Sequence, residues 1–142
     1  GPQEGEETLV GGHVNKVEGL EKGYYIEPTV FKGNNDMRIF QEEIFGPVIG
    51  IIRAHGFDDA LEKANGIGFG LAAGIVTNNL AYAMQFARGI DAGVVKVNEP
   101  TSGLALQAPF GGFKHSSANT FKEQGQAAVE FYTRTKTIYI GG

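Results

Sequence analysis

Three short apolar runs alternate with two amphipathic helical repeats in the middle of the chain. The runs are rich in β-branched or small residues and are typical of buried strands: VIGII at 48–52, AAGIV at 72–76 and GVVKV at 93–97. Residues 57–64 and 80–87 carry apolar side chains at the i, i+3, i+4, i+7 spacing of a helix that buries one face. Strands that alternate with helices through short connections indicate right-handed βαβ crossovers. The sequence therefore predicts an α/β fold with a parallel sheet.

The flanking residues predict where both helices begin and end. Asp58 and Asp59 suit the positive end of the first helix dipole, and Asn65-Gly66 marks the end of that helix. Asn78 is the candidate N-cap of the second helix, and Gly89 lies just past its end.

The segments before and after this unit are less regular. TLVGGHV at 8–14 and YYIEPTVF at 24–31 are predicted to be strands that flank the sheet. Pro28 favours an edge or a bulge for the second of them, because proline cannot donate to a strand ladder. Residues 98–120 are predicted to be an irregular loop, and unstructured loops above about 12–15 residues are usually functional or disordered. A short helix is expected around 121–130.

Composition excludes several classes of protein. The chain has 142 residues, enough for one domain, since a domain of about 150 residues buries roughly 68–70% of its unfolded surface. A net charge of −4 with dispersed Lys and Arg argues against a nucleic-acid partner. No apolar run approaches the roughly 20 residues that span a bilayer, and the start GPQEGEE does not resemble a signal peptide. We therefore expect a cytoplasmic protein with no membrane partner.

Metal and hydrolase chemistry are not predicted. The chain has no Cys, and its three His residues lie far apart without ligand spacing, so no metal site is expected. His115-Ser116-Ser117 could pair a nucleophile with a base, but triad partners come from separate loops and the chain has no G-x-S-x-G elbow. We expect a polar turn there.

The segment from Gln41 to Pro47, QEEIFGP, places two carboxylates and an aromatic ring directly before a predicted strand. A carboxylate can accept two vicinal ribose hydroxyls, and a Phe ring can pack on a flat ring. The residues alone are better explained by a structural role, a solvated acidic helix end with a packing Phe.

A wider pattern resembles the aldehyde dehydrogenase superfamily. Six strings share its order and spacing from about Thr8 to Ile140: GYYIEPTVF, EEIFGPV, GFGLAAGIVT, GVVKVN, APFGGFKHSS and YTRTKTIYI. The resemblance implies that Glu43 binds the nicotinamide-side ribose of NAD or NADP and that Phe45 packs beside it. These are the predicted cofactor-binding residues.

The same resemblance assigns the loop NEPTSGLALQAPF at 98–110 to the substrate tunnel, with Gly103, Leu104 and Phe110 as its walls. The structural alternatives are that Asn98 caps a strand end and that residues 109–112 form a tight turn. The loop and the strings KEQG and FYTRTKT are most similar to the branch that oxidises α-ketoglutaric semialdehyde.

The C-terminal TKTIYI at 135–140 is predicted to be a strand with no obvious neighbour in the chain, which makes it an unpaired edge. The resemblance implies an oligomerisation strand at 135–142 that follows a partial catalytic domain at 1–134. We expect it to pair with another subunit or with a missing N-terminal part.

The family's nucleophilic Cys, its general base and its Gly-rich dinucleotide-binding domain all precede the matching region, so we predict no catalytic residue here and no activity for the chain alone. Gly1-Pro2 fits either a cloning scar or a cut within a longer chain. Two hypotheses follow: a fragment of an NAD(P)-dependent dehydrogenase acting on a small aldehyde, or a stand-alone, non-catalytic α/β module for binding or oligomerisation.

Overall fold

The computed structural model describes residues 5–14, 17–118 and 122–142. The chain divides into two compact units, Gly1–Ile67 and Gly68–Gly142, which are described separately. The elements of the first unit are β1 (Glu7–Val10), β2 (Thr29–Gly33), α1 (Arg38–Gln41), β3 (Val48–Ile52) and α2 (Phe57–Asn65). Those of the second are β4 (Phe69–Gly70), β5 (Ala72–Ile75), α3 (Leu80–Gly89), β6 (Val94–Val97), β7 (Phe113–Lys114) and α4 (Gly125–Tyr132). No helix within the described ranges is long and apolar enough to cross a membrane.

The sheet of the first unit has the order β1-β2-β3 and is mixed. β2 and β3 are parallel, with Thr29 opposite Val48 at the start of the register. β1 is antiparallel to β2, with a bulge between Thr8 and Val10. The two N-terminal segments are therefore members of a sheet and do not merely flank one.

The sequence predicted an edge or a bulge at Pro28, and the strand that follows it is not an edge strand. β2 begins at Thr29, one residue after the proline, and lies between β1 and β3. The proline therefore takes no position in the ladder, and its missing N–H costs no hydrogen bond.

The prediction of one parallel sheet built from 48–52, 72–76 and 93–97 is wrong for the described chain. β3 pairs with β2, and β5 pairs with β6 in a separate sheet. Hydrophobic periodicity identifies a strand but carries no information on its neighbour, because pairing is decided by tertiary contacts. The α/β class is confirmed, with mixed sheets.

α1 is a single turn that packs on the first sheet through Phe40. A Cβ added to Gly33 would lie 2.6 Å from Phe40 Cε2, and one added to Gly50 would lie 2.7 Å from Phe40 Cδ1. The two glycines lie on adjacent strands, so their missing side chains leave the space that the ring fills.

α2 matches the helix predicted from its apolar spacing and ends at Asn65. The Asp59 carboxylate accepts a hydrogen bond from the His55 backbone N–H at 2.6 Å and forms an ion pair with Lys63 at 2.6 Å. The hydrogen bond from the Lys63 ammonium, followed by that from the His55 N–H, lowers the pKa of Asp59. These contacts stabilise the first turn of the helix.

β5, α3 and β6 form a βαβ unit with parallel strands, as predicted. The N-cap of α3 is Asn79 and not Asn78, since the Asn79 Oδ1 accepts from the backbone N–H groups of Ala81 and Tyr82. Gly89 is the last residue of the helix and does not lie beyond it.

The predicted loop after β6 contains a short strand. β7 pairs antiparallel with β4, with Phe69 opposite Lys114. α4 begins at Gly125, later than predicted, and residues 119–121 of the predicted loop and helix lie outside the described part of the chain.

Residues 133–142 form no strand with any described residue. Ile138, Tyr139 and Ile140 are 69%, 93% and 91% exposed. The oligomerisation strand predicted at 135–142 therefore stays a prediction.

Few apolar side chains are buried in the described residues. They are Phe31 in the first unit and Ala83, Phe86, Ile90 and Ala92 in the second. Many large apolar side chains lie on the surface instead, including Ile49 and Ile51 of β3.

Candidate functional site

The connection from α1 to β3, residues 42–47, is held at its C-terminal end by the sheet. The Pro47 carbonyl accepts a hydrogen bond from the Thr29 N–H at 2.9 Å, and the Gly46 carbonyl accepts from the Val48 N–H at 2.7 Å. Phe45 has a φ of 53°, a left-handed conformation that few residues other than glycine adopt. Its side chain is 90% exposed, so the ring is not packed against the described part of the chain.

The two adjacent carboxylates have different surroundings. Glu42 accepts a hydrogen bond from Arg38 Nε at 2.9 Å in an ion pair across one helical turn. The Glu43 carboxylate has no partner among the described residues. Both line an open cavity of about 270 Å³ with Phe45 and Gly46. Glu43 is therefore the carboxylate that remains available to a ligand.

Two side-chain amides, which the sequence did not single out, anchor the helical turn that leads into this connection. Asn35 Nδ2 donates to the carbonyls of Lys63 and Gly66 at 2.9 and 3.3 Å. Gln41 Nε2 donates to the Asn35 carbonyl and, at 3.1 Å, to the Gly66 carbonyl. These bonds connect both ends of the α1 region to the end of α2, whose last carbonyls lack partners within the helix. The sequence feature that could have indicated this role is the pair of amide residues, Asn35 and Gln41, one before and one at the end of a helical turn.

A second cavity, of about 260 Å³, lies in the second unit. It brings together the three predicted wall residues, Gly103, Leu104 and Phe110. Its lining also includes three polar residues that the sequence did not identify as site residues: Lys96, Glu99 and Gln124. Lys96 Nζ forms a loose ion pair with Glu99 Oε2 at 3.4 Å, and the Lys96 side chain is 22% exposed.

Backbone hydrogen bonds close the loop around this cavity. Phe110 and Glu123 exchange two bonds of 2.6 Å each, and the Gly125 N–H donates to the Leu106 carbonyl at 3.1 Å. The residue between them, Gln124, has a left-handed φ of 68°. Its Oε1 is buried and has no hydrogen-bond partner among the described residues.

Asn98 has the structural role that the sequence offered as an alternative. Its Oδ1 accepts from the Thr77 N–H at 2.8 Å, and its Nδ2 donates to the Thr77 carbonyl at 3.0 Å. The side chain thereby caps the ends of β5 and β6, and its φ of 56° is one that asparagine tolerates better than most residues.

His115-Ser116-Ser117 forms a polar turn, as predicted. The Ser116 N–H donates to the Phe113 carbonyl at 3.1 Å, and the Ser116 Oγ accepts from the Gly70 N–H at 3.0 Å. The His115 ring lies edge-on to Phe69, with 6.3 Å between the ring centroids. The serine hydroxyl is thus used to join β4 to the turn. In the described ranges, no cluster of three or more His, Asp or Glu side chains could hold a metal ion.

Comparison with known proteins gives one consistent result. The sequence model of the aldehyde dehydrogenase family matches residues 1–138 of this chain. A 2,5-dioxopentanoate dehydrogenase of Saccharolobus solfataricus is 47% identical over 142 residues, which cover 99% of this chain and 29% of that protein. An alpha-ketoglutarate semialdehyde dehydrogenase of Haloferax volcanii is 50% identical over 137 residues, which cover 96% of this chain and 28% of that protein.

The fold agrees with the same family. The crystal structure of a Mycobacterium tuberculosis aldehyde dehydrogenase complexed with NAD+ superposes with a TM-score of 0.81 at 36% identity, over 92% of this chain and 26% of that one. This chain therefore spans less than a third of the length of the proteins that it matches. The resemblance inferred from its ordered motifs is confirmed, and the chain belongs to the aldehyde dehydrogenase family.

Proposed function

We propose that this chain is the C-terminal portion of the catalytic domain of an NAD- or NADP-dependent aldehyde dehydrogenase that oxidises a semialdehyde to a carboxylic acid. Two relatives named for oxidising such substrates match almost the whole chain at 47% and 50% identity. The solved relative from M. tuberculosis holds NAD+, which supports a nicotinamide cofactor.

The difference between the adjacent carboxylates carries this proposal. Arg38 engages Glu42, whereas Glu43 faces the same cavity without a partner in the described chain, next to the exposed ring of Phe45. An unpaired carboxylate can accept both hydroxyls of a ribose, and an exposed aromatic ring can pack beside a flat heterocycle. The residue types therefore fit the nicotinamide half of the cofactor.

In this proposal Glu43 and Phe45 hold the ribose and ring in place. The nicotinamide, when bound, supplies the hydride acceptor, and the protein contributes position. The bonds of Asn35 and Gln41 would hold the backbone that carries the two side chains before any ligand arrives. Less ordering is then needed on binding.

Gly103, Leu104 and Phe110 would form the wall of the substrate tunnel. They line one cavity, and the backbone bonds between Phe110 and Glu123 fix the loop that carries them. Small, aliphatic and aromatic walls of this kind suit the carbon chain of an aldehyde.

The chain alone would not oxidise aldehydes in this proposal. It contains no Cys, and a hydroxyl requires an oriented base to become a nucleophile. Residues 135–142 would form an oligomerisation strand beyond a catalytic portion at 1–134, paired with another subunit or with the rest of the enzyme. The match to much longer enzymes does not favour the alternative of a stand-alone module.

The test is expression of the longer open reading frame that contains this segment, beside the 142-residue chain. We expect the longer protein to reduce NAD+ or NADP+ with 2,5-dioxopentanoate and the short chain to produce no NADH or NADPH at equal molar concentration. Turnover by homogeneous short chain would contradict the proposed inactivity. A reading frame of only 142 residues would contradict the proposal that the chain is a portion of an enzyme.

A further inference from the structure

Gln124 combines three properties that a purely structural residue rarely combines. It lines the cavity shared by Gly103, Leu104 and Phe110. Its backbone has a φ of 68°, a region that is costly for a side chain of this type. Its Oε1 is buried with no hydrogen-bond partner in the described chain. A buried amide oxygen without a partner loses its hydration and gains nothing in return.

The surroundings hold Gln124 in this position. The bonds between Phe110 and Glu123 lie on one side of it, and the bond from Gly125 to Leu106 lies on the other. A Cβ added to Gly125 would lie 2.9 Å from the Gln107 carbonyl carbon, so the two backbone segments are in close contact there. The fold therefore places a polar amide in the wall of a cavity that also carries Lys96 and Glu99.

The amide can serve as a donor as well as an acceptor. The end that is buried without a partner in the described chain is the acceptor Oε1, and the other end, Nε2, carries two donor hydrogens. Those hydrogens suit a keto or carboxylate oxygen. Lys96 lies on the same cavity and brings a positive charge whose carboxylate partner, Glu99, is 3.4 Å away. The amide and the ammonium group are both donors, so they favour a ligand group rich in acceptor oxygens.

We propose that the Gln124 amide hydrogen-bonds the keto or carboxylate group at the end of the substrate remote from the aldehyde, and thereby selects semialdehydes over plain aliphatic aldehydes. This inference rests on the proposed function. The cavity of about 260 Å³ suits a small substrate, being close to the lower end of the roughly 300–1,000 Å³ of typical small-molecule sites. Gln124 would thus be a specificity-determining residue.

The experiment compares two five-carbon aldehydes in the longer protein, 2,5-dioxopentanoate and pentanal, for the unchanged enzyme and for Gln124→Leu. Leu keeps a similar volume and removes the hydrogen bond. We expect kcat/KM for 2,5-dioxopentanoate to fall roughly 10- to 100-fold, the range for a hydrogen bond to a charged group, and kcat/KM for pentanal to change by less than about threefold.

Gln124→Asn is the second variant, and it separates selectivity from folding. Asparagine keeps the polar amide and, like glutamine, is not branched at Cβ, so the backbone at φ 68° and ψ 162° should be no more strained and thermal stability should hold. The shorter side chain withdraws the amide, so selectivity for the keto acid should still fall. A parallel loss on both aldehydes in both variants, or no loss on either, would overturn the inference.

The same data distinguish the two proposals. If the unchanged enzyme oxidises neither aldehyde, the proposed function fails, and this inference fails with it. If the unchanged enzyme oxidises 2,5-dioxopentanoate and the ratio of the two kcat/KM values does not change in either variant, only the role of Gln124 is contradicted.

Discussion

The ring of Phe40 lies directly against the backbone of Gly50. A side-chain carbon at Gly50 would come within 2.7 Å of Phe40 Cδ1, well inside ordinary contact distance. Gly50 lies in the middle of β3, opposite the buried Phe31 of β2. This contact therefore fixes the position of α1 on the sheet. It also fixes the start of the connection that carries Glu43 and Phe45.

Gly50→Ala should destabilise the protein by about 1–3 kcal/mol, the usual cost of inserting a methyl group into a packed contact. Gly46→Ala is the matched control, because the nearest atom to an added Cβ there is Val48 Cγ2 at 4.0 Å. The free energy of unfolding in urea measures both. Equal effects of the two substitutions would show that Phe40 can move aside without cost.

Asn35→Ala should lower the free energy of unfolding by about 1 kcal/mol, because it removes the donor to the Lys63 and Gly66 carbonyls at the end of α2. Asn34→Ala, one residue earlier, changes the same functional group outside this pair of bonds. Hydrogen exchange should be faster near Gly66 in Asn35→Ala alone. Unchanged hydrogen exchange near Gly66 would show that the two bonds from Asn35 do not stabilise the end of α2.

Glu43→Gln should raise the KM for NAD+ or NADP+ of the longer protein about tenfold, through loss of a charge-assisted hydrogen bond to the ribose. Glu42→Gln removes one partner of an exposed ion pair and should have little effect on KM or stability. If Glu43→Gln instead lowers the thermal midpoint and leaves turnover unchanged, Glu43 has a structural role.

Acid should lower the folding stability of the protein, in part through protonation of Asp59. Its pKa is lowered in the folded state, first by the hydrogen bond from Lys63 and then by the His55 N–H. The stabilising contribution is therefore present above the ordinary value of about 3.9 and is lost as pH falls through the lower folded pKa. The thermal midpoint of Asp59→Asn should lie below that of the unchanged protein at pH 7, and the gap should close towards pH 3. Asp58→Asn, in the same helical turn, should show a smaller gap; a gap that widens on acidification would reverse the assigned sign.

Deleting residues 135–142 should shift the protein to a smaller oligomer, because the proposed strand pairs outside its own chain. Light scattering across micromolar concentrations gives the mass. Ile138→Asp should have the same effect with a full-length chain, whereas Thr137→Asp, on the opposite side of the proposed strand, should have less. An unchanged mass in the deletion would rule out this strand as the interface.

Local pattern was enough to predict one helix and one βαβ unit. The apolar spacing of residues 57–64 predicted α2, and the alternation around 72–97 predicted the βαβ unit of β5, α3 and β6. The cap of α3 was displaced by one residue, from Asn78 to Asn79, because adjacent asparagines carry the same local signal.

The candidate site was predictable only in part. The ordered motifs pointed to Glu43, Phe45, Gly103, Leu104 and Phe110, and the last three do share a cavity. Gln124 was missed because its role rests on a positive φ and on a buried oxygen that has no partner among the described residues, and a sequence shows neither property.

By itself, the sequence determined the family, the α/β class and the limits of α2, since these depend on side-chain periodicity and on an ordered set of motifs along the chain. Only the tertiary structure decided that β3 pairs with β2 and that β5 pairs with β6, that Arg38 forms an ion pair with Glu42 and not with Glu43, and that Gln124 lines the same cavity as Phe110. Those outcomes depend on which hydrogen-bond partners meet in space, and residues far apart in the chain compete for the same partners.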